Sequence, residues 1–373
     1  MIYLDSAATS YIKPASVKRA MVNAIETMSS PGRGSYAAAM RAADKVYEGR
    51  ELACKLFNFS DPQNVVFTMN ATHALNIAIS SLVSAGDKVV ISGYEHNSVT
   101  RPLNQIGAKT VVAASPLFET ESVIPTIEKN ISGAKAVVWN HISNVFGYIQ
   151  PIYEIAKLCS KYNVPLIIDA SQSAGICRLD MSELGAAYVA MPGHKGLLGP
   201  QGTGILLCGQ TPKPLMCGGT GSESVLQSMP EYLPDRAEAG THNVVGIAGL
   251  CEGMKYVLRR GADNIGEYEA SLCRRMAMKL KKVPKLQVFA SDADNQAGVL
   301  SIRHSTMDSE TFCDALGRRG IAARCGLHCA PLAHNTAGTI DKGTVRLSFS
   351  PFITQAQTDM ACRVVESAAK QEN

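Results

Sequence analysis

The 373-residue sequence predicts an α/β fold: a large domain with a mostly parallel seven-stranded sheet, then a smaller C-terminal α+β domain. Three observations predict it. Short apolar runs rich in Val and Ile alternate with helix-length amphipathic runs, the pattern of βαβ units. The apolar runs are continuous, as expected for strands covered on both faces. After about Ala248 this alternation gives way to two long helical patterns and a mixed tail.

The strands follow in order. "NVVFTM" (64–69), "DKVVISG" (87–93), "KTVVAA" (109–114) and "AKAVVWN" (134–140) come first; "PLIIDA" (165–170), "AAYVAM" (186–191) and "TGILLC" (203–208) complete the sheet. "ATHALNIAISSLV", "SVTRPLNQIG" and "PIYEIAKLCSKYN" lie between several of them and carry helical periodicity. Beyond Ala248, "AGLCEGMKYVLRRG" and "IGEYEASLCRRMAMKLKKV" read as helices. "QAGVLSIRH" then reads as a strand, "DSETFCDALGRRG" as a helix, "TVRLSFS" as a strand and the stretch from Thr354 as a final helix. The expected division is 15–248 for the large domain, with 1–14 and 249–373 forming the small one.

Composition narrows the function classes. The chain is 46% hydrophobic with net charge +4, enough apolar mass for a large core and little excess charge for nucleic acid. The densest basic run, Arg274 to Lys285, reads as the solvated face of a helix. Eleven cysteines, an odd number, and an N-terminus without a basic-then-apolar leader point to a reduced, cytoplasmic protein. No apolar run approaches the ~18 residues of a membrane span. Neither G-x-G-x-x-G after a first strand nor G-x-x-x-x-G-K-[ST] occurs in the right context for a nucleotide.

Ligands of parallel sheets collect at the carboxyl ends of the strands. Five such ends carry polar residues: Ala71 and Thr72 opening a helix, His96, Asn144, Asp169 with Gln172, and His194 with Lys195. Singly each has an ordinary reading as a cap, a turn residue or a solvated charge. Together they supply an anion cradle at a helix N-terminus, a flat ring, an amide, a carboxylate and an amine. That set suits pyridoxal 5'-phosphate, which a lysine holds covalently and a carboxylate keeps protonated at its pyridine nitrogen.

The motifs "NATHALN", "EHNS", "SNVFG", "DASQSAG", "GHKGLLGPQGTGIL", "GGTGSES", "EAGTHN" and "RCGLHCAP" resemble, over nearly the whole length, the class V aminotransferase family, and within it the cysteine desulfurases and selenocysteine lyases. The resemblance implies the type I fold of pyridoxal-phosphate enzymes and a homodimer with sites at the subunit interface. It implies that Lys195 holds the cofactor, Asp169 pairs with the pyridine nitrogen and Gln172 bonds the ring oxygen. His96 would stack on the ring, Asn144 would hold the ring oxygen or the substrate, and Ala71, Thr72 and His194 would border the phosphate. Thr241 would reach the partner subunit's phosphate. Arg346 would clamp the substrate carboxylate, for which a guanidinium's parallel donors are suited.

"RCGLHCAP" separates desulfurases from ordinary aminotransferases and makes Cys329 the expected nucleophile. Arg324, His328 and His334 lie close to it in sequence, and basic neighbours favour thiolate. The expected reaction turns L-cysteine into L-alanine and leaves a persulfide on Cys329 for an acceptor protein or reductant. A selenocysteine lyase, a true aminotransferase and a catalytically silent sulfur-carrier partner are the alternatives. Cys325, four residues upstream, either stands by or forms a reversible link to Cys329. A metal site here is not expected, because C-x-x-x-C is poor spacing for zinc.

Overall fold

The computed structural model describes residues 1–32 and 34–370. Thirteen strands lie among them, numbered in chain order: β1 (Ile2–Tyr3), β2 (Val65–Thr68), β3 (Lys88–Ser92), β4 (Lys109–Ala113), β5 (Ala136–Asn140), β6 (Leu166–Asp169), β7 (Tyr188–Pro192), β8 (Gly204–Cys208), β9 (Leu286–Phe289), β10 (Val299–His304), β11 (Ile321–Ala322), β12 (Arg324–Gly326) and β13 (Thr344–Ser348). Strands β2 to β8 form one seven-stranded sheet in the order β2-β8-β7-β6-β5-β3-β4. Only β8 runs against its neighbours. All seven expected strands are present, each within two residues of its expected ends.

The sheet is apolar on both faces, which explains the unbroken Val/Ile runs. Val90, Val137, Trp139 and Ile168 enter one core. Val89, Ile91, Val138 and Ile167 enter the other, with the buried face of the helix Ala71–Leu82. The helix Val244–Arg260 lies against the helices Ala15–Thr27 and Ala37–Phe57, and its Ile247, Leu250, Cys251 and Met254 join the first core.

A four-stranded antiparallel sheet, β12-β13-β10-β9, carries a separate core. The N-terminus belongs to it: Ile2 and Leu4 pack with Leu272, Leu347 and Val365, and β1 pairs in parallel with β11. Arg275 and Lys279, from the basic run, both bond Asp359 and tie the helices Ala262–Leu280 and Gln355–Lys370 together. Among the described residues, no helix is long and apolar enough to cross a membrane.

Candidate active site

Four adjacent parallel strands, β7, β6, β5 and β3, deliver their carboxyl ends to one edge of the sheet, where the crevice of an open α/β sheet forms. A cavity of about 110 Å³ lies there. It brings together Ala71, Thr72, His96, Asn144, Asp169, Gln172, His194 and Lys195. Residues 124 positions apart in sequence, Ala71 and Lys195, thus share one wall because β2, β8 and β7 are neighbours.

The helix Ala71–Leu82 begins at this cavity. Asn70 caps it by accepting the His73 N–H at 2.9 Å, and the first intrahelical bond is Ala74 N–H to Asn70 O at 3.2 Å. The N–H groups of Ala71 and Thr72 are left at the open, partly positive end. Thr72 Oγ1 lies 2.7 Å from Ser98 Oγ, and Ser98 in turn meets His96: its N–H donates to His96 Nδ1 at 3.0 Å. A ring nitrogen that accepts a backbone N–H cannot carry a proton in the neutral tautomer, so the His96 proton sits on Nε2. Burial pushes the His96 pKa down to about 4 against the opposing pull of Asp169, so the ring is neutral at pH 7.

Lys195 is partly buried. Burial pushes its pKa down to about 8, opposed by Asp169 and assisted by Arg346. Asp169 stands at the end of β6, its Oδ1 accepting Ser171 N–H at 2.9 Å. Its other oxygen has no protein partner among the described residues. Asn144 donates from Nδ2 to the His328 carbonyl at 2.8 Å, and its buried Oδ1 has no partner. His194 Nδ1 lies 3.0 Å from Thr9 Oγ1, and burial lowers its pKa to about 4.

Three expected residues lie outside this cavity. Cys329 is exposed and borders a neighbouring depression that shares Thr72, His96 and Ser98 with it. The turn holding it has two successive left-handed residues, His328 (φ 50°) and Cys329 (φ 55°), a conformation that side chains other than glycine adopt only under constraint. The constraint is visible: Asn97 N–H donates to Cys329 O at 2.7 Å and Asn144 Nδ2 to His328 O. Arg346 is almost fully buried, donating to Asn144 O at 3.0 Å and to Asp5 Oδ1 at 2.8 Å. Thr241 is exposed and lines a second cavity with His73, Glu238 and His242.

The basic surroundings expected for Cys329 reduce to one cation. Arg324 Nη2 lies 3.9 Å from its Sγ. His328 and His334 are buried, bonded to Thr344 and Thr339, and held neutral by desolvation. Of the two readings for Cys325, the structure favours the bystander. Along β12 successive side chains alternate, so Arg324 turns to Cys329 while Cys325 packs into the small core beside Cys313.

Sequence reasoning passed over three further groups. Ser98 links Thr72 to His96, Asp5 pairs with Arg346, and Glu95 is wholly buried under the site. Glu95 Oε1 accepts from Ser92 Oγ and from Asn140 N–H, while Oε2 has no partner. Burial raises its pKa to about 8, with Asp169 adding to the shift. Its position directly before His96 at a strand end was the available signal.

The profile of the class-V aminotransferase family matches residues 2–360, and the chain belongs to that family. It is 31% identical to a probable cysteine desulfurase of Methanothermobacter thermautotrophicus, covering 99% of this chain and 94% of the relative. A probable cysteine desulfurase of Pyrococcus abyssi is 30% identical with the same coverage. Among solved structures, the apo cysteine desulfurase from Thermococcus onnurineus NA1 superposes with a TM-score of 0.90 at 28% identity, covering 99% of this chain and 94% of that one. The fold is therefore the type I fold of pyridoxal-phosphate enzymes, as the resemblance implied.

Proposed function

We propose that this chain is a pyridoxal-phosphate-dependent cysteine desulfurase that converts L-cysteine to L-alanine and leaves a persulfide on Cys329. One observation carries this reading. The partly buried Lys195 and the exposed thiol Cys329 border adjoining hollows that share Thr72, His96 and Ser98.

The residues present fit the cofactor. Asn144 Oδ1 is a buried acceptor without a partner, Asp169 presents an unengaged oxygen, and the helix at Ala71 offers free N–H groups to an anion. Lys195 would hold the group covalently, Asp169 its pyridine nitrogen, Gln172 and Asn144 its ring oxygen, and Thr72 and His194 its phosphate. His96, neutral and flat, would lie on its ring. When bound, the cofactor supplies an electron sink for charge that develops at the substrate Cα.

The chain's own groups do the rest. Arg346 would bind the substrate carboxylate. Lys195 Nζ, with basicity lowered toward neutral pH, would take the Cα proton and later return it. Cys329 Sγ, beside the Arg324 cation, would attack the substrate sulfur. The sulfur's bond to carbon breaks and a bond to Cys329 forms, giving alanine and a persulfide that an acceptor protein or a reductant then removes. Thr241, exposed and away from its own chain's cavity, would complete the site of a partner subunit in a homodimer.

Incubation with L-cysteine tests the reading. Alanine and sulfide in equal amounts with reductant, and alanine limited to about one per Cys329 without it, are the expected result. A keto acid in place of alanine refutes it.

A further inference from the structure

Glu269 is a buried acid that the reading above does not use. It lies on the helix Ala262–Leu280, is 6% exposed, and has no hydrogen-bond or ion-pair partner among the described residues. It lines a cleft of about 40 Å³ that Lys195 and Gln172 also line. Ser6 and Ser350 also line the cleft, and Ser6 Oγ is buried without a partner. The room for the carboxyl depends on a glycine: a Cβ on Gly298 would stand 2.6 Å from Glu269 Cβ and 3.3 Å from its Oε2.

A carboxyl buried without donors is costly, so such a group is either neutral or solvated within its own cavity. This cleft exceeds the ~10–15 Å³ that one water requires, and it offers that water several polar partners. We propose that Glu269 exchanges a proton with Lys195 through water in the cleft they share, which connects the active-site amine to solvent from behind. The proposal rests on the reading of Lys195 as the base that takes the Cα proton.

The step balances. The Lys195 ammonium gives one proton to the water as that water gives one to the Glu269 carboxylate. One N–H bond and one water O–H bond break, while a carboxyl O–H and a new water O–H form. Charge is conserved, and the reverse step restores the ammonium. The proton affinities are brought together by burial, which lowers Lys195 to about 8 and raises Glu269 well above the usual carboxylate range.

Two measurements test the relay. In the cofactor-free protein, the infrared C=O band of a protonated carboxyl that disappears in Glu269→Gln is expected to shift within the mixing time after transfer to D₂O. Absence of that band, or a band that keeps its proton for hours, overturns the proposal. In the holoenzyme, L-alanine in D₂O is expected to exchange its Cα hydrogen. Glu269→Gln and Glu269→Leu are expected to slow that exchange at least about tenfold, as loss of a positioned acid–base group does, while Glu269→Asp restores part of it. Alanine binding and cofactor content stay as in the parent. Equal exchange in Glu269→Gln overturns the relay alone, whereas no exchange in the parent protein overturns both the relay and Lys195 as base.

Discussion

Arg346 gives Nη2 to Asp5 Oδ1 at 2.8 Å and leaves its buried Nε without a partner. The guanidinium is thus held by the N-terminal segment and by Asn144 O, with Nε as a donor to spare. Asp5→Ala is expected to destabilise the protein by about 3 kcal/mol, because it strands a buried cation. It should also raise KM for L-cysteine more than it lowers kcat. Asp5→Asn keeps an acceptor in place and should cost less. Urea unfolding and steady-state kinetics check both.

Lys195 should react with pyridoxal phosphate at lower pH than an ordinary lysine. The neutral amine is the reacting form, so reconstitution of the cofactor-free protein is expected to speed up as pH rises and to level off above about 8. An ordinary lysine would keep accelerating past pH 10. Lys195→Ala should lose the cofactor's covalent absorbance and all activity.

Cys329→Ala is expected to keep the bound cofactor's colour and lose sulfur release from L-cysteine. Assay of the same variant on L-selenocysteine separates the desulfurase from a selenocysteine lyase, since selenium leaves without thiol attack. Arg324→Met should slow alkylation of Cys329 by iodoacetamide about two- to fivefold, because the cation 3.9 Å from Sγ is removed.

Glu95 makes stability fall with pH. Its pKa is about 8 in the folded protein against 4.5 when exposed, so the folded state holds a proton that the unfolded chain releases. The stability this proton contributes is complete below about pH 4.5 and is lost as pH rises toward 8. Glu95→Gln should flatten the stability profile over that window and raise the melting temperature most at pH 8. A parallel loss in both proteins would show Glu95 ionised and partnered.

Mild oxidation followed by peptide mapping should find no Cys325–Cys329 link. The two side chains leave β12 and its following turn on different sides, and Cys325 lies with Cys313 in the small core.

What could be read in the sequence was set by local rules. Strands buried on both faces write continuous Val/Ile runs, so β2 to β8 were legible nearly to the residue. Strand ends in a parallel sheet converge, so the grouping of Thr72, His96, Asp169 and Lys195 followed from topology. The ion pair of Asp5 with Arg346 spans 341 positions and has no local signature. His328 and His334 were close to Cys329 in sequence, yet their bonds to Thr344 and Thr339 hold them in the interior. Adjacency along the chain says nothing about the side to which a ring turns.

The docking of Ile2–Tyr3 on Ile321–Ala322 has a consequence for biosynthesis. A nascent chain that has emerged to about residue 260 holds every strand of the large sheet. Ile2 and Tyr3 have no partner strand until residues 321–322 have been made, at ~5–20 residues per second. Asp5 therefore meets Arg346 only after translation has passed the site's other parts.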